Sequence, residues 1–384
     1  MNPAMRCHVV FQFLAFFFAA ANARTQSIPY ETNAYVESIA GSGFIGHVDG
    51  NSTLTMFNYP TAITADAETN LFVWDSNNRA LRRITADYRV TTMYSNFPAR
   101  LTSLTMDGDE LLAAGFIGTG SDVGMWRIRM GAVVGSPRLL PNEPVEQHAP
   151  GLVRTSAGIF FSRNNRIYVL TNNTFEIFVG SGNKESVDGQ GIFCSFNRPT
   201  GLAADSVNNI YVMEAYNVRR VTPQGVVTTV SSVDNMNSLA VSPGGVMCWS
   251  TIYLVERWIS GSRRIIGGKA GQSGFKDGEA PESLFAVPQG VTFGPDNALY
   301  VADSQRIRRI VFDTLPATQL GIELRPTVTL TGQIGQRFRI EGRASISDPW
   351  APLDTLSLTA SPFSWSDPDY PNHPNRYYRS VLVP

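Results

Sequence analysis

The sequence predicts an all-β protein built from a repeated unit, and three observations carry that expectation. The first is one long unit written three times in the same order. It runs Gly41-Ser42-Gly43, Asp49-Gly50, Phe57, Pro60, Leu71-Phe72-Val73-Trp74-Asp75, Leu81-Arg82-Arg83-Ile84 and Val90-Thr91-Thr92. It recurs as Gly180-Ser181-Gly182, Asp188-Gly189, Phe196, Pro199, Ile210-Tyr211-Val212-Met213-Glu214, Val218-Arg219-Arg220-Val221 and Val227-Thr228-Thr229. It recurs again as Gly271, Gly274, Asp277-Gly278, Phe285, Pro288, Leu299-Tyr300-Val301-Ala302-Asp303 and Ile307-Arg308-Arg309-Ile310. The second observation is the content of each unit: short β-branched and aromatic runs, separated by Gly, Asn and Asp. The third is the spacing, roughly 37 to 52 residues from one first strand to the next, which is a repeat-protein period. Short strands at that period read as propeller blades and not as helical repeats.

These residues resemble NHL repeats over most of Val36 to Phe312. The resemblance implies a six-bladed β-propeller over residues 34–312, of a kind used mostly for binding, with some enzymes among its relatives.

In such a blade four antiparallel strands, A to D, run outward from a central channel. Blade 1 takes Ala62–Ala65, Leu71–Trp74, Ala80–Ile84 and Val90–Tyr94. Blade 2 is degenerate: Ser103–Met106, Leu111–Gly115, Met125–Arg129 and a last strand near Arg138–Leu140, with a Gly-rich B–C connection from Phe116 to Gly124. Blade 3 takes Leu152–Thr155, Ile159–Ser162, Arg166–Leu170 and Phe175–Val179. Blade 4 takes Gly201–Ala204, Ile210–Met213, Val218–Val221 and Val226–Val230. Blade 5 takes Ser238–Val241, Val246–Ser250, Leu254–Ile259 and Arg263–Ile266. Blade 6 has Gly290–Phe293, Leu299–Ala302 and Arg306–Ile310 but no D strand of its own. Tyr35–Ala40 has a D-strand pattern without a blade. A ring must join its ends or expose unpaired strand edges, so Tyr35–Ala40 is expected to cross over and pair with Arg306–Ile310. Phe57, Phe196 and Phe285 each precede by three residues a Pro that leads into strand A, and are expected in the core.

After the propeller, residues 313–321 read as a linker. Residues 322–384 carry short β runs separated by turn signals: Thr327–Leu330, Arg337–Glu341, Thr355–Thr359, Phe363–Trp365 and Tyr377–Val383. Gly335-Gln336, Phe338-Arg339-Ile340-Glu341 and Arg376-Tyr377-Tyr378-Arg379 resemble a C-terminal β-sandwich module of secreted bacterial proteins such as those of Verrucomicrobia.

At the other end, Arg6, the apolar run Val9–Ala21 and Ala21-Asn22-Ala23 read as a signal peptide over residues 1–23, cleaved after Ala23. An uncleaved anchor is the alternative. The run is short for a bilayer span, and no second one follows, so no membrane span is expected after cleavage. The protein is expected to be secreted or to sit in the periplasm or cell envelope. With 31 basic and 32 acidic side chains the formal net charge is −1, which leaves no basic footprint for nucleic acid. Hydrophobic residues make up 43% of the 384-residue chain, enough for a large core. Cys194 and Cys248 remain after cleavage, and two buried free thiols are favoured over a bridge because disulfide geometry is demanding.

Six carboxylates are the ligand-binding candidates. Asp49, Asp188 and Asp277 lie in long D-to-A loops, where oxygen ligands could take calcium; each loop brings only one or two carboxylates, and an Asp-Gly turn is the favoured reading, because Asp bonds the backbone and Gly takes positive φ. Asp75, Glu214 and Asp303 end the B strands. Regucalcin- and gluconolactonase-like propellers gather such groups around a metal at the channel mouth. The structural alternative is that each holds backbone N–H groups of the adjoining B–C turn. Strict repetition favours it, since folding repeats a feature and catalysis breaks the symmetry. In the C strands, alternation sends one Arg of each Arg-Arg pair to each blade face, one of them packing between blades and pairing with a carboxylate. His47 and His148 are too few and too scattered for the histidine-bound zinc of NHL-type lyases. No catalytic residues emerge, and no cofactor is called for, with calcium left open.

The function expected from these residues is a secreted, monomeric, non-enzymatic scaffold that binds an extracellular protein or carbohydrate. The alternative is a metal-dependent enzyme of the gluconolactonase or lyase type at the channel mouth. Fold alone does not choose between them.

Overall fold

The computed structural model describes residues 28–31, 33–118, 122–129, 132–139, 150–171, 174–233, 235–259, 261–312, 327–330, 333–343, 348–359, 361, 363–366 and 377–383. The expected signal segment 1–23 and linker 313–321, with His148, His373 and Asn172-Asn173, lie outside the described residues.

Among the described residues, six antiparallel sheets follow one another along the chain. Strand A of each sheet is innermost: Pro60–Ala65, Ala99–Asp107, Leu152–Thr155, Gly201–Ala204, Ser238–Val241 and Pro288–Phe293. Each A strand contacts those of the sheets before and after it, and the last contacts the first, so the ring is closed. The fold is a β-propeller.

The B strands show why the sequence folds this way. Leu71–Asp75 is buried throughout, on both faces. Successive side chains alternate between faces, so Leu71 and Val73 pack in one cluster with Tyr300 and Ile307 of blade 6, while Phe72 and Trp74 pack in another with Leu101 and Trp126 of blade 2. In blade 4, Ile210 and Val212 join Phe160 and Val179 of blade 3, whereas Tyr211 and Met213 join Trp249 of blade 5. Six such clusters fill the six gaps between sheets. A strand buried on both sides reads as an unbroken apolar run, which is what Leu-Phe-Val-Trp and Ile-Tyr-Val-Met are.

Tyr35–Ala40 pairs antiparallel with Arg306–Val311, from Tyr35 opposite Val311 to Ala40 opposite Ile307. The start of the chain thus supplies the fourth strand, D, of blade 6, as the closure argument requires. Phe57, Phe196 and Phe285 are fully buried, each contributing about 2 kcal/mol of apolar burial. Cys194 and Cys248 are free and buried.

Two expectations are corrected. Blades 1, 4 and 6 have five strands, not four. The Gly of each Asp-Gly pair opens a two-residue strand, Gly50–Asn51, Gly189–Gln190 or Gly278–Glu279, which pairs with the outer edge of strand D. The entry loop therefore clips over its own blade. The last strand of blade 2 is Ala132–Leu139 and starts earlier than its sequence suggests. Beyond the propeller, Thr327–Leu330 pairs with Phe363–Ser366, and Arg337–Arg343 lies between Ala351–Ser357 and Tyr377–Val383.

Candidate functional site

The six candidate carboxylates meet three arginines in three copies of one arrangement. In blade 1, Arg82 is fully buried on strand C (Ala80–Ile84). Its Nη1 donates to Asp75 Oδ2 at 3.0 Å and to the Met56 carbonyl at 3.1 Å, and its Nη2 to Asp49 Oδ1 at 2.7 Å and the Val48 carbonyl at 3.0 Å. Its guanidinium lies over the Phe57 ring, 4.8 Å from the centroid. Asp49 in turn accepts from the Thr92 backbone N–H and hydroxyl. Asp75 accepts from the Asn58 N–H and the Asn78 amide.

Blade 4 repeats this with Arg219 donating to Glu214 at 2.7 Å, Asp188 at 2.8 Å and the Ser195 and Val187 carbonyls, over Phe196. Asp188 accepts from Thr229, and Glu214 from the Ser186 hydroxyl at 2.6 Å. Blade 6 repeats it with Arg308 donating to Asp303 at 3.2 Å, Asp277 at 2.6 Å and the Leu284 and Lys276 carbonyls, over Phe285. Here Asp277 accepts from Ser38, on the crossing strand, and Asp303 from the Ala286 and Val287 N–H groups. A planar guanidinium with several donors suits such a multidentate role where a lysine would not.

The electrostatics of the two acids in a cluster diverge. Burial is the largest influence on Asp75, Glu214 and Asp303, and it raises all three carboxyls in spite of their arginines, Asp303 to about 6. At Asp49 and Asp188 burial also works upward, but hydrogen bonds from Thr92 or Thr229 and the arginine charge outweigh it and hold these carboxyls low.

The B-strand acids do not take the backbone N–H groups of the B–C turn as expected; Asp75 reaches that turn only through the Asn78 side chain. Their backbone donors come from the loop entering strand A, at Asn58, Ala286 and Val287. None of the six carboxylates lines the central channel. The structure brings them together in pairs, Asp49 with Asp75, Asp188 with Glu214 and Asp277 with Asp303, each pair around its own arginine. Among the described residues no three His, Cys, Asp or Glu side chains are grouped to hold a metal ion. His47 is exposed, its Nε2 2.9 Å from the Thr92 hydroxyl.

The channel itself is a cavity of about 600 Å3 lined by the A strands of all six sheets. Its walls are Ala, Thr, Ser and Gly for the most part, and its charged groups are Asp66, Arg154 and Asp205. All three are engaged. Arg154 pairs with Asp107 at 2.7 Å. Asp66 accepts from the Asn70 N–H and amide, and Asp205 likewise from Asn209. These A–B turn aspartates were not singled out in the sequence, although Asp-x-x-x-Asn directly before strand B marks both.

No family model matches the chain, and no curated protein matches it. Similar solved structures include a virginiamycin B lyase of Staphylococcus aureus, with 14% identity over 73% of this chain and 100% of that one and a TM-score of 0.46. A gluconolactonase of Xanthomonas campestris shows 14% identity over 74% of this chain and 96% of that one, at 0.48. An auxiliary nutrient binding protein of Bacteroides thetaiotaomicron shows 15% identity over 73% and 77%, at 0.41. At such identities and scores these similarities say nothing about activity.

Proposed function

We propose that this protein is a secreted, non-enzymatic binding scaffold whose working surface is the face formed by the entry loops. The observation that carries the reading is the side-by-side pair Phe44 and Ile45, 72% and 68% exposed on the loop into blade 1. The loop that shows them is held in place. Ser42 N–H bonds the Thr55 carbonyl, Gly46 N–H bonds the Phe57 carbonyl, and the Asn78 amide bonds the Gly46 carbonyl. Val48 and Leu54 are exposed on the same loop, and Ile192 and Phe193 on the matching loop of blade 4. Apolar side chains presented to water by an ordered loop mark an interaction surface. The channel charges Asp66, Arg154 and Asp205 are each engaged by neighbours, which argues against chemistry in the channel.

The test is cross-linking of the mature protein to the extracellular fraction of its source cells, with partners identified by mass spectrometry. A partner captured by wild type and lost in the Phe44→Asp, Ile45→Asp double variant is the expected result. Hydrolysis of a lactone by purified protein, dependent on a stoichiometric metal, would overturn the reading in favour of the enzyme. Sequencing the mature N-terminus checks for cleavage after Ala23.

A further inference from the structure

Each clamping arginine has an arginine neighbour on the opposite blade face, and that second residue is treated differently in different blades. In blade 6, Arg309 lies opposite Tyr300 on strand B and opposite Glu37 on strand D. It donates to Glu37 at 2.9 Å and to Asp296 at 3.0 and 3.3 Å. Arg220 occupies the same place in blade 4, opposite Tyr211 and Thr228.

Both acids are missing there. Thr228 stands where blade 6 has Glu37. Val207 stands where blade 6 has Asp296, each being the middle residue of a five-residue A–B turn, 205–209 or 294–298. The remaining acid of the turn, Asp205, is occupied by the Val207 and Asn209 N–H groups, the Asn209 amide and the Tyr211 hydroxyl. Arg220 is therefore exposed and without an ion-pair partner among the described residues.

Space opens beside it. A groove of about 480 Å3 runs between blades 4 and 5, lined by Arg220, Trp258, Tyr211, Asp205, Asn209 and Val207, with glycine backbone at Gly244 and Gly245. Its size is that of a small-ligand site. It opens on the face of the A–B turns, at the opposite end of the strands from the entry loops, so it is separate from the surface proposed above.

We propose that this groove binds an acidic saccharide, a sugar ring bearing a carboxylate. A free guanidinium calls for a planar anion that it can grip in bidentate fashion. The rest of the wall says what carries the anion. One indole, from Trp258, offers a flat apolar surface. Around it stand open glycine backbone and the Asn209 amide oxygen, which suit hydroxyl groups, and the aliphatic side chains of Val207, Val230, Val246, Met247 and Ile259, which suit the C–H faces of a sugar ring. Burial and the neighbouring Asp205 push the Tyr211 hydroxyl up to about 12, so it stays a neutral donor to Asp205; Asp205 is taken up by its own turn, and Arg220 is the charge of the groove without an ion-pair partner among the described residues.

The test is calorimetric titration of the full chain with a short oligogalacturonide, with the neutral galactose oligomer and acetate as comparison ligands. The acidic oligomer is expected to bind, at least about tenfold more tightly than either comparison ligand, since one hydrogen-bonded charge pair is worth roughly that factor. Arg220→Gln should lower its affinity about tenfold or more. Arg83→Gln, at the same place in blade 1 but lining neither cavity, should leave it unchanged, as should Phe44→Asp with Ile45→Asp. Arg220 is a surface residue, and an unchanged melting temperature of Arg220→Gln confirms that its fold is intact. Equal binding of neutral and acidic oligomers, undiminished binding by Arg220→Gln, or binding of acidic peptide or phosphate with no saccharide bound, each overturns the proposal.

Discussion

Blades 1, 4 and 6 are clamped by an arginine between two acids; in blades 3 and 5 the corresponding positions hold something else. Strand register locates them. In blade 5, Glu256 follows the C-strand bulge where the other blades place Arg82 or Arg219, and it pairs with Arg263 on its own D strand. In blade 3 the same position holds Tyr168, stacked on Phe161. Between blades 1 and 4 on one side and blade 5 on the other, the difference follows the length of the entering connection. The loop into blade 1 runs from Gly41 to Tyr59, and that into blade 4 from Gly180 to Thr200. The connection into blade 5 needs only Val233 to Asn237, and that into blade 2 only Ser95 to Pro98. Ordering a long loop costs backbone entropy at every residue. The clamp offsets that cost, because its arginine holds two loop carbonyls, the loop aspartate and the loop phenylalanine at once. A short connection has nothing of the kind to hold.

The largest expected effect tests the clamp that borrows from the chain's far end. Deleting residues 24–41 removes the D strand of blade 6 and with it Ser38, which anchors Asp277. The propeller should lose its single cooperative unfolding transition, followed by circular dichroism. A cooperative melt near the wild-type temperature would show that closure does not depend on this strand.

Next comes the clamp against its blade 5 counterpart. Arg219→Met leaves the buried Glu214 without its cation and should cost about 3–5 kcal/mol in chemical denaturation, the range for stranding one member of a buried pair. Arg263→Met also strands a buried acid, Glu256, but releases no entering loop, so it should cost about 3 kcal/mol, the low end of the same range. Equal losses would break the distinction between the two sets of blades.

The smallest effect concerns pH. Asp303 is raised from 3.8 to about 6 by burial. Between those values the folded protein holds a proton that the unfolded chain has released, so this group makes stability fall as pH rises through that window and level off above it. Asp49 and Asp188, held low, act in the opposite sense: their contribution is lost as pH falls through their folded values. Asp303→Asn should cost only about 1 kcal/mol at neutral pH, keep its backbone contacts and remove a slope of at most ~1.4 kcal/mol per pH unit. An unchanged slope between pH 4 and 6 assigns it to other groups.

Much of this architecture was legible because propeller strands are short, local and doubly buried. Leu71–Trp74, Ile210–Met213 and Leu299–Ala302 announce themselves as apolar runs, and the Phe–Pro spacing fixed the core aromatics. The crossing strand was legible as well, since Tyr35–Ala40 was a D pattern with no blade to join and blade 6 had no D strand. That arginines and carboxylates would pair followed from their repetition.

Which partner each group takes was decided only in three dimensions. Asp49 and Asp75 are far apart in sequence and meet at Arg82 because a loop folds back over strand D through Gly50–Asn51. Nothing in a linear pattern specifies a two-residue strand, whose pairing is set by the position of a neighbouring edge and not by its own composition. The contrast between Arg309 and Arg220 has the same origin. Both lie in an Arg-Arg pair of identical appearance, and only the cross-strand neighbours, Glu37 against Thr228, and the turn residues, Asp296 against Val207, make one a closed ion pair and the other a free charge beside a groove. The sequence by itself determined the main strands, their order and the residues of the clamp, since these depend on periodicity and repetition along the chain. The tertiary structure alone decided which charges are neutralised, because that depends on distances across strands that sequence separation does not encode.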